Sequence, residues 1–318
     1  MEPWDGPASI AFTDGTRIGA ILDRNGLRPS RWVTTKDGLV VMASEVGVLD
    51  FPPERVAAKG RLQPGRIFLV DTAEGRVVPD REIKETLAAA EPYGEWLREH
   101  LVRLSDLPEP PEVREPDHET VLTRQETFGY TLEDVRMIVN PMAATGVEPI
   151  GSMGTDIPLA VLSEAPQLLS DYFKQLFAQV TNPPVDADRE AIVMAVDTAI
   201  GPEGNLLEPT PEAALHFELP TPVLRNVELE KIRSLAGGPG SHGFRSITLP
   251  ILFRVRDGGK GLRKAIEELR RRSSEAIAEG HNILILSDRG HDATDAPIPA
   301  LLALSSVQHH LLREESRT

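Results

Sequence analysis

Thr181 and Asn182 are the residues whose type and position point most directly to chemistry. They follow an aromatic segment with helical spacing, residues 171–180, and come just before Pro183 and Pro184. Proline lacks a backbone N–H and restricts the residue before it, so the helix cannot continue and the two polar side chains lie at a rigid corner. A hydroxyl and an amide can hydrogen-bond a small neutral polar molecule without ionising it. The pattern therefore favours contact with such a molecule at this corner.

The aromatic side chains before this corner have a different interpretation. Tyr172, Phe173, Leu176 and Phe177 recur at helical spacing, and a stripe of this kind ordinarily packs into a core. We expect core packing for these residues.

Closely spaced glycines mark a second candidate, the loop 151–156. Such glycines let a ligand or another backbone come close. A phosphate site is not favoured, because the loop lacks the Walker lysine and no dinucleotide fingerprint joins a strand to a helix. We expect a tight loop packed against a neighbouring domain, with Ser152 and Asp156 as candidate interface residues.

A third candidate is the loop 287–292, which follows a short apolar run. Open α/β sheets bind ligands at the carboxyl ends of their strands, but a domain interface is the preferred interpretation, with Asp288 and Arg289 as candidates. A metal site is not favoured, because His309 and His310 are adjacent and face different sides of a helix. The chain has no G-x-S-x-G nucleophile elbow. We predict no catalytic and no metal-binding residue.

Composition limits the classes of partner and chemistry. The chain has 318 residues and a net charge of −15, which argues against nucleic acid or an anionic membrane as the main partner. No apolar run approaches the ~20 residues that cross a bilayer, and no signal peptide is evident, so we expect a cytoplasmic protein. Cysteine is absent, which excludes a thiolate nucleophile, thiolate metal ligands and disulfides within these residues.

Short apolar runs between tight turns predict a layered sheet near the N-terminus. Asp14-Gly15, Asn25-Gly26 and Glu74-Gly75 are turn signals, since glycine supplies the positive φ that hairpins need. The predicted strands lie at residues 10–12, 18–22, 39–42 and 67–70. They are too few to close a domain around its own core, so we expect an incomplete sheet.

The middle of the chain is predicted to connect two domains. Residues 80–107 are predicted to be helical, and the proline-rich residues 107–112 to form an extended linker at a domain boundary. Beyond it, the Thr131 hydroxyl can cap a helix that runs to Val139. Asn140-Pro141 should stop that helix.

The C-terminal part alternates strand and helix. We predict strands at 247–255 and 283–286 and helices at 262–279 and 300–313, with Gly280 as a helix C-cap. This order favours a mostly parallel sheet with right-handed crossovers. A doubly wound sheet would continue beyond the last helix, so this sheet is also expected to be incomplete.

Three runs together resemble the large (alpha) subunit of glutamate synthase: residues 23–29 (DRNGLRP), 148–156 (EPIGSMGTD) and 171–184 (DYFKQLFAQVTNPP). The resemblance implies the end of a class II glutamine amidotransferase domain at 1–79, a helical connector and linker at 80–120, and most of the central domain at 121–318. It implies an α/β fold overall, with a partial α+β layer like that of NTN hydrolases first and a mostly parallel sheet in the central domain.

The same resemblance implies a role in ammonia assimilation. The complete enzyme converts glutamine and 2-oxoglutarate to two glutamates with FMN and an iron–sulfur cluster, and ammonia passes between its two active sites. Thr181 and Asn182 would lie on or beside that route. The family's nucleophile is an N-terminal cysteine, and this chain has no cysteine, so we expect this chain alone to be inactive. Because cluster ligation also needs cysteine and the flavin belongs to another domain of the family, we expect the chain to bind no cofactor itself.

Other conclusions stay open on the sequence alone. Partners implied by the family are the remaining domains and either a small electron-donating subunit or ferredoxin, and the donor is a reduced pyridine nucleotide or ferredoxin. A non-catalytic scaffold or binding module derived from the family is the alternative function. A nucleotide-binding module is less favoured, since no phosphate fingerprint supports it.

Overall fold

The computed structural model describes residues 7–23, 26–149, 161–164, 167–173, 187, 195–205, 207–237 and 240–317. The chain divides into two compact units, one within Met1–Glu95 and Pro183–Ala195 and the other within Trp96–Asn182 and Val196–Thr318. Both units contain strands and helices, so the chain is α/β, as the sequence predicts.

Antiparallel strands build the described part of the first unit. Their bounds are β1 Ser9–Thr13, β2 Arg17–Leu22, β3 Arg31–Thr35, β4 Val40–Ala43, β5 Val56–Arg61, β6 Phe68–Asp71 and β7 Arg76–Val78. One sheet has the order β1-β2-β6-β7 and the other the order β4-β3-β5. The four strands predicted in this region correspond to β1, β2, β4 and β6.

Two of the hairpins show why these residues turn where they do. The Asp14 carboxylate accepts hydrogen bonds from the backbone N–H groups of Thr16 (2.9 Å) and Arg17 (2.6 Å), and Gly15 has a φ of 93°. The short aspartate side chain thus replaces backbone partners inside the turn. The Asp71 carboxylate does the same between β6 and β7, where it accepts from the backbone N–H groups of Ala73 and Glu74.

A small apolar cluster lies between the sheets of this unit. Ala20, Leu22 and Leu62 are buried, and Trp32 and Phe68 pack against them with their rings stacked 5.2 Å apart. Aromatic side chains of this size contribute much of a small core.

The connector differs from the single helical stretch predicted for residues 80–107. It contains helix α1 Asp80–Ala88, helix α2 Tyr93–His100, a short strand β8 Val102–Arg103 and a 3-10 turn at Leu104–Asp106. Pro92 interrupts the helical run, because proline cannot donate a hydrogen bond in a helix interior. Val102, Leu104 and Leu107 leave the helical pattern because they are buried in the core of the second unit.

The helix predicted for residues 131–139 continues past its expected stop. Thr131 caps it as predicted: its hydroxyl accepts from the Asp134 N–H at 3.1 Å. A π-helix at Asp134–Val139 then leads into helix α4 Asn140–Thr145, and the Asn140 N–H donates to the carbonyl of Val135, five residues back. This wider turn accommodates proline, which has no N–H to place in a regular helix.

The second unit contains the remaining strands: β9 Thr198–Ile200, β10 Phe217–Leu219, β11 Ser246–Pro250, β12 Leu252–Arg254, β13 Ile283–Ser287 and β14 Asp295–Pro297. β11 pairs with β13 and β8 with β10 in parallel, whereas β9 pairs with β10 and β12 with β14 antiparallel. The predicted strand 247–255 is thus two strands, because its second half turns away at Ile251 to pair with β14.

The remaining helices of the second unit are α3 Val121–Thr127, α5 Asn226–Arg233, α6 Gly258–Ala278 and α7 Ala300–Arg313. The bounds of α7 are those predicted, and Gly280, with a φ of 87°, lies just past the end of α6 as predicted. Helices α6 and α7 bury Leu269, Ala303, Val307 and other apolar residues against β11 and β13. This cluster is the core beneath the carboxyl end of β13.

Candidate functional site

The loop after β13 is the site candidate that the structure describes. Arg289 lies in this loop, and its backbone N–H donates to the Ser287 hydroxyl at 3.3 Å. The His291 imidazole Nδ1 lies 3.0 Å from the Asp288 carbonyl oxygen, and Gly290 between them has a φ of 91°. These short-range contacts set the direction in which the Arg289 side chain leaves the sheet.

Arg289 reaches two parts of the chain that are distant in sequence. Its Nη1 donates to the Arg114 carbonyl oxygen at 3.1 Å, and its Nη2 donates to Asn226 Oδ1 at 3.3 Å. Asn226, in the first turn of α5, in turn donates through Nδ2 to Glu115 Oε2 at 2.8 Å. Arg289 and Asn226 therefore hold residues 114–115 from two sides.

A buried carboxylate lies behind Arg289. Glu230 of α5 has a side chain that is only 7% exposed, and its two oxygens face two cations. Arg233 Nε is 3.1 Å from Oε2, and Arg289 Nη1 is 3.9 Å from Oε1. Arg233 also donates from Nη1 to the Thr248 hydroxyl at 2.6 Å. A buried carboxylate needs such partners, because an unpaired charge in the interior is strongly unfavourable.

The start of α5 carries a further ion pair. Glu228 Oε2 accepts from the Arg225 backbone N–H at 2.7 Å, and Glu228 Oε1 accepts from the Arg225 guanidinium at 3.1 and 2.8 Å. These hydrogen bonds, the guanidinium first, lower the pKa of the Glu228 carboxyl below its usual value and raise the pKa of Arg225. Glu228 thus satisfies a free N–H at the helix N-terminus, where negative charge is favourable.

A groove of about 900 Å³ runs along the same side of α5. Its basic side chains are paired with acidic ones: Lys231 with Glu109 at 2.8 Å and Arg103 with Glu218 at 2.8 Å. Because each cation among its described lining residues already has an anion, these residues supply charge pairs that hold segments together and no unbalanced positive charge for a phosphate.

The proline-rich residues 107–117, which we call the strap, contribute Glu109 to the lining of this groove. The strap has neither helix nor strand and belongs to the second unit. Leu107 is buried in the core at its beginning, Glu109 pairs with Lys231, and residues 114–115 meet Arg289 and Asn226. The strap, which includes the predicted linker 107–112, is therefore held at three points: at Leu107 by the core, at Glu109 by Lys231, and at residues 114–115 by Arg289 and Asn226.

The predicted site residues divide into two groups. Thr181, Asn182, Ser152 and Asp156 lie outside the described residues. Asp288 and Arg289 are adjacent and half-buried in the described loop, and their role at a domain interface stays a prediction. Of the four residues expected in a core, Tyr172 and Phe173 are 50% and 71% exposed in a 3-10 turn, and Leu176 and Phe177 lie outside the described residues.

The sequence reasoning missed the partners of Arg289. Glu230 and Arg233 are spaced i,i+3 on one helical face, which is a recognisable signal for an ion pair, but nothing local shows that the pair is buried. Asn226 gives no signal at all, because its partners are 111 and 63 residues away.

Within the described ranges, no group of three or more His, Cys, Asp or Glu side chains is placed to hold a metal ion. No helix in that part of the chain combines the length and apolar character needed to cross a membrane.

Two known protein families match successive parts of the chain and define its class. The class II glutamine amidotransferases match residues 1–96, and the glutamate synthase central domain matches residues 123–318. This order, an amidotransferase region followed by a central domain, is the one that the resemblance implies. The domain extents 1–79, 80–120 and 121–318 remain predictions.

Individual relatives agree with both matches. The chain is 44% identical over 318 residues to the NADPH glutamate synthase large chain of Bacillus subtilis (strain 168), covering 100% of this chain and 20% of that protein. It is 44% identical over 320 residues to the chloroplastic ferredoxin-dependent glutamate synthase of Spinacia oleracea, covering 100% of this chain and 19% of that protein. It is 41% identical over 331 residues to the NADH glutamate synthase of Schizosaccharomyces pombe, covering 100% of this chain and 15% of that protein.

The chain belongs to the glutamate synthase family, which confirms the resemblance. Its residues correspond to a segment of the large subunit that includes amidotransferase and central-domain sequence. The chain spans about a fifth or less of the length of these relatives.

Proposed function

We propose that this segment forms the structural and ammonia-conducting middle of a glutamate synthase, which converts glutamine and 2-oxoglutarate to two glutamates. The observation that carries the proposal is the match of the chain from end to end to relatives named glutamate synthase, with the two family regions in succession. Ammonia released from glutamine would pass along the segment, with Thr181 and Asn182 on or beside the route. Their amide and hydroxyl groups can hydrogen-bond neutral ammonia without a change of charge.

The finer features of the fold belong to the same proposal. The antiparallel sheets β1-β2-β6-β7 and β4-β3-β5 would be part of an α+β layer of the kind found in NTN hydrolases. The parallel pair β11 and β13, joined by α6, would be part of a larger and mostly parallel sheet in the central domain. A right-handed crossover through a helix is the connection that such sheets use.

The cofactors of the complete enzyme, FMN and an iron–sulfur cluster, do not fit the residues of this chain. Cluster ligation needs thiolates, and the chain contains no cysteine. The cation at the carboxyl end of β13, Arg289, is already bound to protein acceptors. We propose that both groups are held by other parts of the large subunit, in the cytoplasm, with a reduced pyridine nucleotide or ferredoxin as electron donor.

The absence of cysteine also determines the expected activity of the chain itself. Amidotransferases of class II need a thiolate nucleophile, so the purified 318-residue chain should release no glutamate from glutamine. Release above the level of a matched mock purification would contradict this expectation.

A segment replacement tests the positive part of the proposal. In the chimeric enzyme, residues 1–318 replace the aligned segment of the Bacillus subtilis large chain, which is 44% identical. We expect NADPH oxidation that requires both glutamine and 2-oxoglutarate. The control is the same large chain with the segment deleted, which should be inactive. A soluble, folded chimeric enzyme without this activity would favour a scaffold that has diverged from the family's function.

A further inference from the structure

Arg289 is the point at which a buried charge, a helix and the strap meet. Its guanidinium touches the strap at the Arg114 carbonyl oxygen and α5 at Asn226. On its inner side it faces the carboxylate of Glu230, whose side chain is only 7% exposed. A planar guanidinium can make these contacts together, because its donors point in fixed directions.

The strap has few other means of holding its middle in place. It has no helix or strand of its own among the described residues 107–117. Its beginning is anchored by Leu107, which is 4% exposed in the core. Glu109 pairs with Lys231, but the Glu109 side chain is 77% exposed, and exposed pairs contribute little. The end of the strap is tied to the start of α3, because the Asp117 carboxylate accepts from the Thr120 N–H at 2.8 Å and the Asp117 carbonyl oxygen accepts from Arg124 Nη2 at 2.7 Å. Between these two ends, the contacts of Arg289 and Asn226 are the polar restraint on residues 114–115.

The strap is also part of the covalent connection between the two family regions. It lies after the amidotransferase match, which ends at residue 96, and before the central-domain match, which begins at residue 123. Chain that joins two regions transmits order between them only if it is itself fixed.

We propose that Arg289 is a positioning residue that clamps the strap to α5, and that this clamp is needed for efficient transfer of ammonia in the complete enzyme. Glu230 attracts the guanidinium from behind across 3.9 Å, without a hydrogen bond to Oε1, and Asn226 closes the clamp on the Glu115 side. The second half of this proposal rests on the proposed function, whereas the first half does not.

Trypsin tests the clamp on the 318-residue chain alone. The bond after Arg114 is a trypsin site whose carbonyl oxygen is held by Arg289. Cleavage requires local opening of the strap, so its rate follows the stability of the clamp. Arg289→Ala and Asn226→Ala should each accelerate cleavage after Arg114 about tenfold, since each removes two hydrogen bonds that involve a charged group. Arg289→Lys should fall between wild type and Arg289→Ala.

The control is Arg263→Ala, which removes the same charge from an exposed position on α6. It should leave cleavage after Arg114 unchanged. Asn226→Ala should keep α5 folded, because alanine is well tolerated in a helix, so faster cleavage in this variant reports the loss of the clamp and not a loss of the fold. Unchanged cleavage in both clamp variants, with intact far-UV circular dichroism, would overturn the clamp.

The chimeric enzyme tests the positioning role. The measured quantity is glutamine hydrolysed per 2-oxoglutarate aminated, which a merely structural loss of stability would not change. We expect this ratio to be near one in the chimeric enzyme, to rise at least twofold with Arg289→Ala, and to recover partly with Arg289→Lys. A loosened strap with an unchanged ratio would overturn the positioning role. An inactive chimeric enzyme would contradict the proposed function and would leave the trypsin result standing.

Discussion

Removing Arg233 should destabilise the second unit more than most single substitutions, because it leaves the Glu230 carboxylate buried beside one remaining cation. In the native protein, the two side chains are 15% and 7% exposed and their charged atoms are 3.1 Å apart. Arg289 Nη1, at 3.9 Å, stays in place in the variant. The change Arg233→Met keeps most of the side-chain volume and removes only the charge and its donors.

The expected cost follows from the surroundings of the pair. Two unit charges about 4 Å apart attract by about 4 kcal/mol at the effective dielectric constant of a protein near its surface. Breaking a buried ion pair by removing one partner costs about 3–5 kcal/mol in measured cases. Arg289 offsets part of this cost, while the lost hydrogen bond to Thr248 adds about 1 kcal/mol. We therefore expect a loss of about 3 kcal/mol.

Hydrogen exchange is the suitable assay, because a chain of two compact units need not unfold in one step. A loss of about 3 kcal/mol should accelerate exchange of the β10 and β11 amides by roughly a hundredfold. The double variant Glu230→Leu with Arg233→Met removes both charges and should cost less than the single variant. A single-variant cost below about 1 kcal/mol, or a double variant worse than the single, would refute this reasoning.

Two further predictions concern the rest of the chain. Gly60→Ala should destabilise the first unit by about 1–3 kcal/mol, because the added Cβ would lie 2.6 Å from the Trp32 ring. Trp32 fluorescence during urea unfolding measures this loss. The control is Lys59→Ala at the exposed neighbouring position, which should leave the stability unchanged. Glu228→Gln should weaken α5 less at pH 3 than at pH 7. The pKa of Glu228 is lowered in the folded state, chiefly by the Arg225 guanidinium, so its stabilisation is fully present above the usual 4.5 and declines as the pH falls below that value. Hydrogen exchange of α5 at both pH values checks this, and an equal effect at both would contradict it.

Local signals in the sequence were sufficient for elements that local interactions determine. Helix α7 begins and ends where its apolar periodicity predicts, and Gly280 lies past the end of α6 with positive φ. Strands β1, β2, β4 and β6 follow from apolar runs and turn residues, whereas β3, β5 and β7 were not predicted. Asn140-Pro141 misled the prediction because a π-helix absorbs the proline, and nothing in the residue types distinguishes that outcome from a helix end.

Features that depend on distant partners could not be predicted. The break between β11 and β12 depends on pairing with β14, more than 40 residues later. Arg289 was recognised as a site candidate from its position after a strand, but its partner Arg114 lies 175 residues away. Burial of Glu230 depends on the packing of α5, which helical periodicity alone cannot establish. The role of Thr181 and Asn182 rests on the family resemblance and remains a prediction.

The fate of the glutamine amide nitrogen tests the central claim most directly. The chimeric enzyme would receive glutamine labelled with ¹⁵N at the amide, together with excess unlabelled ammonium, and the label in newly formed glutamate would be measured by mass spectrometry. If the segment conducts ammonia within the protein, the glutamate made from 2-oxoglutarate keeps the full ¹⁵N enrichment of the glutamine amide. Dilution of the label towards the enrichment of the bulk ammonium would contradict the account.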